Sequence, residues 1–180
     1  MKELRLANKD GIIAILNEFG LQYTVGYDVE QSIKYEYVVA SGSVDGVSLY
    51  IKCEPTSRRS YCEVENPEFR YQGALKIVEF TPMQLKSAIL EVVAIVKQLK
   101  QRLGELAALT EMLKESKFDV ETFANHVEVY KSYRGASYIR IYMDASGRVS
   151  LTLQVLDIEP RQAVELAKKL DSLVLETLKV

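Results

Sequence analysis

The chain has 180 residues, 48% of them hydrophobic and 27% charged, and its 23 Lys and Arg against 25 Asp and Glu give a net charge of −2. That much apolar side chain builds a core, which excludes a dominantly disordered chain, and the charge balance excludes a histone-like binder driven by global positive charge. There is no run of about 18 apolar residues, and MKELRLANKDGIIAIL lacks a cleavage-site pattern, so the expectation is a cytoplasmic protein with no membrane partner.

Residues 11–19, GIIAILNEF, read as a short helix ended by Gly20. IKYEYVVAS and VSLYIKCE follow as alternating strands, with Asp45-Gly46 as a hairpin signal. In the second strand Val47, Leu49, Ile51 and Cys53 share one face, and Tyr50 and Lys52 share the other. In YCEV, Cys62 falls with Val64. Both cysteines are therefore expected in the core of neighbouring strands, either as buried thiols or as a disulfide closing the 54–61 loop.

After Pro82 a long amphipathic segment carries Leu85, Ile89, Val92, Val96, Leu99, Leu103, Leu106 and Leu113 in alternating steps of four and three, with Thr110 filling the missing place. This is a heptad pattern over about four heptads. It predicts one helix from 82 to about 115, or a helix kinked at Gly104, where glycine costs ~1 kcal/mol relative to alanine. Leu90, Val93 and Ile95 widen the apolar stripe in the first half, which is expected to pack on the sheet, leaving the second half to seek a partner in a homodimer.

HVEVYKSY and SYIRIYMD read as further strands, with Ser146-Gly147 as a second hairpin signal. A last helix, 160–178, carries Ala163, Leu166, Ala167, Leu170, Leu173, Val174 and Leu178 on one face and is expected to pack on a sheet. ALKIVEFTPMQL at 74–85 and TLQVLDIEPRQA at 152–163 repeat one another as strand, Pro-x-Gln and helix, with proline at the favoured first helical position. The fold class that follows is α+β: antiparallel sheets with helices on one face, two related strand-strand-strand-helix halves (1–115 and 116–180, or one integrated domain) and a long central helix.

Catalytic signatures are missing. There is no phosphate-binding glycine loop, no H-E-x-x-H and no nucleophile elbow. Two cysteines and the lone His126 cannot supply the four ligands of a structural zinc site, so no metal, no cofactor and no enzyme activity are expected. Glu63, Glu65 and Glu68 read as charges guarding an edge strand rather than as a catalytic carboxylate cluster.

All 11 tyrosines lie between 23 and 71 or between 130 and 142. Tyr138, Arg140 and Tyr142 alternate against Ile139, Ile141 and Met143, and VEVYKSYRG adds Tyr130, Lys131, Tyr133 and Arg134. A sheet with helices on one side leaves the other to water, and here that side reads as aromatic and basic. Tyrosine rings stack unpaired bases and Arg and Lys hold phosphates, so single-stranded DNA or RNA is the expected partner. Tyr50, Tyr133, Tyr138 and Tyr142 are the stacking candidates, and Lys52, Lys131, Arg134, Arg140 and Arg148, with Arg58 and Arg59 of EPTSRRSY, are the phosphate candidates. The alternative is a structural or adaptor protein working through the heptad helix.

The stretch VEVYKSYRGASYIRIYMDASGRVSLTLQVLDIEPRQAVELAKKL resembles the four-strand-plus-helix unit of the positive-cofactor-four class of single-stranded-DNA-binding coactivators and their Whirly and Pur-alpha relatives. The features that carry the resemblance are Tyr133-Arg134-Gly135 before a strand, the Tyr138/Arg140/Tyr142 strand, and the passage through Glu159-Pro160-Arg161-Gln162 into a helix, repeated at Phe80-Thr81-Pro82-Met83-Gln84-Leu85. It implies curved antiparallel sheets that bind single strands with little sequence preference, with dimer contacts made by helices.

Overall fold

A computed structural model describes residues 2–55, 60–79 and 81–178. In chain order the elements are β1 Lys2–Leu4, α1 Lys9–Glu18, β2 Gln22–Glu30, β3 Ile33–Val44, β4 Val47–Pro55, β5 Ser60–Glu65, β6 Leu75–Glu79, α2 Pro82–Lys114, β7 Asp119–Thr122, β8 His126–Ser132, β9 Tyr138–Asp144, β10 Val149–Gln154 and α3 Pro160–Leu178. The architecture is α+β with two sheets, as the alternation of strand and helix patterns predicts.

The first sheet has six strands among the described residues. β2, β3, β4, β5 and β6 pair antiparallel in that order, and the short β1 lies parallel to the start of β3. The second sheet is a four-stranded antiparallel meander, β7-β8-β9-β10. β2 and β7 are strands that the apolar alternation does not announce. Both are edge strands whose residues are mostly exposed.

α2 starts where Thr81 caps it: Thr81 Oγ1 accepts from the Gln84 N–H at 3.2 Å, with Pro82 in the first turn. The helix runs 33 residues without a break at Gly104. Leu85, Ile89, Val92, Val96, Leu99, Leu103 and Thr110 are all buried, and the helix packs against β4, β5, β6, β7 and β8. The half expected to project toward a partner is thus covered by the chain's own second sheet, because β7 and β8 fold back along it. Burial contributes about 1.5–3 kcal/mol for each large apolar side chain, so α2 fastens both sheets to one core.

The α2 side of the first sheet carries Val38, Ala40, Leu49, Ile51, Cys53, Cys62 and Val64, all buried, with Ile12 and Leu16 of α1 beneath. Cys53 and Cys62 face each other across the β4–β5 ladder and form a disulfide. Between the two thiol readings of the sequence, the structure therefore has the paired one. β5 lies between β4 and β6, so Glu63 and Glu65 do not guard an edge. Arg70 bridges both, at 3.1 and 2.8 Å.

α3 departs from expectation most. It forms over the residues its amphipathic pattern predicts, but none of residues 160–177 is buried and no sheet packs along it. The β10–α3 link explains the direction it takes. Leu156 N–H donates to Ser137 Oγ at 3.1 Å, Asp157 adopts a left-handed φ of 56°, and Glu159 N–H donates to Gln162 Oε1 at 3.1 Å. These contacts fix a turn that carries the helix away from the sheet.

Candidate nucleic-acid interface

The outer face of the second sheet, opposite α2, follows from the register. Val127 and Val129 are fully buried on the α2 side, so their alternates on β8, namely His126, Glu128, Tyr130 and Ser132, face outward. On β9 the outward residues are Tyr138, Arg140 and Tyr142. They stand opposite Ser132, Tyr130 and Glu128 on one side and Gln154, Thr152 and Ser150 on the other. β7 adds Asp119 and Glu121. Among the described residues no helix packs on this face.

Five aromatic rings gather there. Phe123 and His126 are stacked, with centroids 4.4 Å apart and an interplanar angle of 10°. Tyr142 lies 4.8 Å from the same imidazole, and Tyr130 and Tyr138 sit 5.7 Å apart. The sequence reading named Tyr138, Arg140 and Tyr142 together, and the structure places them in one row. Phe123, His126 and Tyr130 complete the group. The period-two alternation of β8 carried the signal for His126 and Tyr130, and Phe123 joins only through its ring contact.

The charge on this face is mixed. Arg140 donates to Glu128, and this hydrogen bond, working against partial burial, holds the Glu128 carboxyl below the usual carboxylate range. A cleft of about 460 Å³ is lined by Asp119, Glu121, Glu128, Tyr130, Tyr138 and Arg140. Its carboxylates outnumber its one arginine.

Other expected site residues lie elsewhere. Tyr133 and Arg134 occupy the β8–β9 connection and are exposed, and Arg148 is exposed in the β9–β10 turn. Neither arginine makes an ion pair among the described residues. Lys131 stands opposite Ile139, on the α2 side of the sheet, where its Nζ donates to Ser116 O at 2.6 Å and covers the Phe118 ring. Tyr50 and Lys52 belong to the outer face of the first sheet, so they do not share a surface with Tyr138, Arg140 and Tyr142. Lys52 pairs there with Glu54, which also accepts from Tyr61 at 2.7 Å. Arg58 and Arg59 lie outside the described residues.

Two packing details hold the flanks of the sheets. Gly26 sits beneath the Tyr37 ring, where an added Cβ would come within 2.4 Å of ring atoms. Asp144 closes the β9–β10 turn by accepting from the Ser146 N–H and hydroxyl and from the Arg148 N–H. Burial pushes the Asp144 carboxyl up, but these donors outweigh it and hold it below its ordinary value.

Among the described residues no group of three or more His, Cys, Asp or Glu is placed to hold a metal ion, and no helix is long and apolar enough to cross a membrane. No family model, no curated protein and no solved structure matches the chain.

Proposed function

We propose that the chain is a non-enzymatic binder of single-stranded nucleic acid, working as a homodimer through the outer face of its second sheet. One observation carries this reading: four aromatic rings of a sheet face, His126, Tyr130, Tyr138 and Tyr142, with Phe123 of the β7–β8 connection stacked on His126, lie where no helix covers them among the described residues. Unpaired bases stack on such rings at roughly 1–3 kcal/mol per base, whatever their identity. Arg134 and Arg148, exposed in the connections on either side of β9, are the proposed phosphate contacts. Arg140 joins them once it exchanges Glu128 for a phosphate oxygen.

Carboxylates on the same face keep the electrostatic share small, so stacking supplies most of the affinity. The test is anisotropy of a labelled single strand of about 20 nucleotides at two salt concentrations, with duplex as control. Single-strand binding with a shallow salt slope supports the proposal. Equal affinity for duplex, or no binding at low salt, removes it.

A second reading, an adaptor acting through helices, is favoured by a different observation. Leu109 and Met112 near the end of α2, and the apolar side chains of α3, are exposed. The heptad stripe itself, to which neither residue belongs, is packed inside the chain, with Leu106 and Leu113 half-buried against the core.

A further inference from the structure

We propose that two copies of this chain exchange their C-terminal helices, α3 of one copy covering the uncovered part of the second sheet of the other. Two unsatisfied surfaces on the same chain lead to this. The first is the α2-facing side of β9 and β10. Val149 stands opposite Met143, Leu151 opposite Ile141 and Leu153 opposite Ile139, so this apolar row continues the one that Val127 and Val129 begin. Those valines are fully buried under α2, whereas Val149 is 59% and Leu151 63% exposed. α2 therefore covers the near half of the sheet and leaves the far half wet.

The second surface is α3 itself. Ala163, Leu166, Ala167, Leu170, Leu173 and Val174 form one apolar face; Leu166 and Leu170 are half-buried, Leu173 and Val174 are exposed, and among the described residues no sheet packs along the helix. A lone helix of 19 residues with an apolar face is marginal in water and draws its stability from what it packs against. The pinned 155–159 link directs α3 away from its own sheet, so the seat and the helix that suits it do not meet within one chain.

A two-fold exchange satisfies both surfaces at once and closes, leaving no open end for further copies. Pairing α3 with α3 alone would leave Val149 and Leu151 exposed. The area also suffices. α3 is about 28 Å long, and two such helices in two seats cover on the order of 1,000 Å², about the lower limit for a specific interface. The inference stands independently of the nucleic-acid reading.

The test is the mass of the full chain in solution by light scattering, for the native protein and for Leu151→Glu, Leu173→Glu and Met112→Glu. All three positions are exposed, so each variant should keep its circular dichroism. The expected result is a dimer for the native chain and for Met112→Glu. Leu151→Glu and Leu173→Glu should each raise the dimer dissociation constant at least ~100-fold, because each places two carboxylates in the apolar interface. A native monomer overturns the proposal. So does a dimer that survives Leu151→Glu while yielding to Leu173→Glu, since that result puts helix against helix, and so does one that yields only to Met112→Glu.

Discussion

Arg140 and Glu128 are diagonal neighbours on the outer face of the second sheet, Arg140 opposite Tyr130 and Glu128 opposite Tyr142, and the guanidinium donates to the carboxylate across the ladder. The pair thereby withholds the central cation of the face from any phosphate. Exposed pairs of this kind contribute only about 0.2–1 kcal/mol, so a ligand can displace the carboxylate at small cost. Glu128→Gln is expected to leave stability nearly unchanged and to tighten single-strand binding several-fold at low salt. It should also steepen the log–log salt slope by about 0.7, the increment for one added phosphate contact. Titrations of both proteins at three salt concentrations check this, and parallel slopes would remove Arg140 from the site.

Tyr142 touches the Phe123–His126 stack, and Arg140 is its neighbour but one on β9. Arg140→Glu combined with Tyr142→Ala should weaken single-strand binding by at least ~5-fold through the lost stacking alone. Neither side chain belongs to the core, so the melting temperature should stay within a few degrees. Unchanged affinity would show that the aromatic cluster is sheet structure and nothing more.

Glu36 is buried at 3% exposure beneath the start of the chain, where its oxygens accept from Lys9 Nζ at 2.8 Å, Tyr27 OH at 3.1 Å and Leu6 N–H at 3.3 Å. Burial pushes its carboxyl up, but the three donors outweigh it, so the group sits below its ordinary value of 4.5. Glu128 and Asp144 are shifted the same way. A carboxylate with a lowered folded-state pKa contributes stability that is full above its ordinary value and drains away as pH falls through the folded value. The melting temperature should therefore be level near neutrality and fall below about pH 4.5. Glu36→Ala should flatten part of that fall and cost roughly 1–3 kcal/mol by stranding its donors. Thermal melts from pH 7 to pH 3 measure both effects.

The disulfide joins two fully buried sulfurs across neighbouring strands and closes a loop of about ten residues. Chain-entropy arguments assign such a loop about 2.7 kcal/mol. Replacing both cysteines with alanine should lower stability by about that amount, with some further loss from the smaller side chains. Because the sulfurs are shielded, reductant should act on the native protein only slowly and become fast in denaturant. Thiol titration over time, with and without urea, distinguishes this from a bond that is open to solvent.

Much of this architecture is written in local patterns. The 4,3 stripe of α2, the Thr81-Pro82 start and the alternation of β4, β8 and β9 each follow from residue types and spacing, and each forms where the pattern places it. What a pattern cannot state is the identity of its cover. The heptads of α2 read equally well as a seam for a second chain, yet β7 and β8 take the place of that chain. The stripe of α3 reads as sheet-packing, yet the turn through Asp157 points it elsewhere. Sequence proximity groups Lys131 with Tyr130, but adjacent strand residues face opposite ways, and Val127 and Val129 decide which way is in. The acidic residues of β7 carry no sequence signal, because a short polar edge strand has no apolar alternation.

A single rod of 33 residues, about 50 Å long, is the floor beneath both sheets. Gln72 Nε2 reaching Asn125 O at 3.3 Å, and Asn125 Nδ2 reaching Glu68 O at 3.1 Å, stitch the two halves together on the side. Both sheets therefore share one helix as their packing surface. A break after residue 115 would give one piece its floor and leave the other with Val127, Val129 and Met143 bare to water. Whatever the open sheet face holds, its position relative to the disulfide-braced sheet is set by one inflexible beam. The two sheets must turn together, as blades fixed to one shaft.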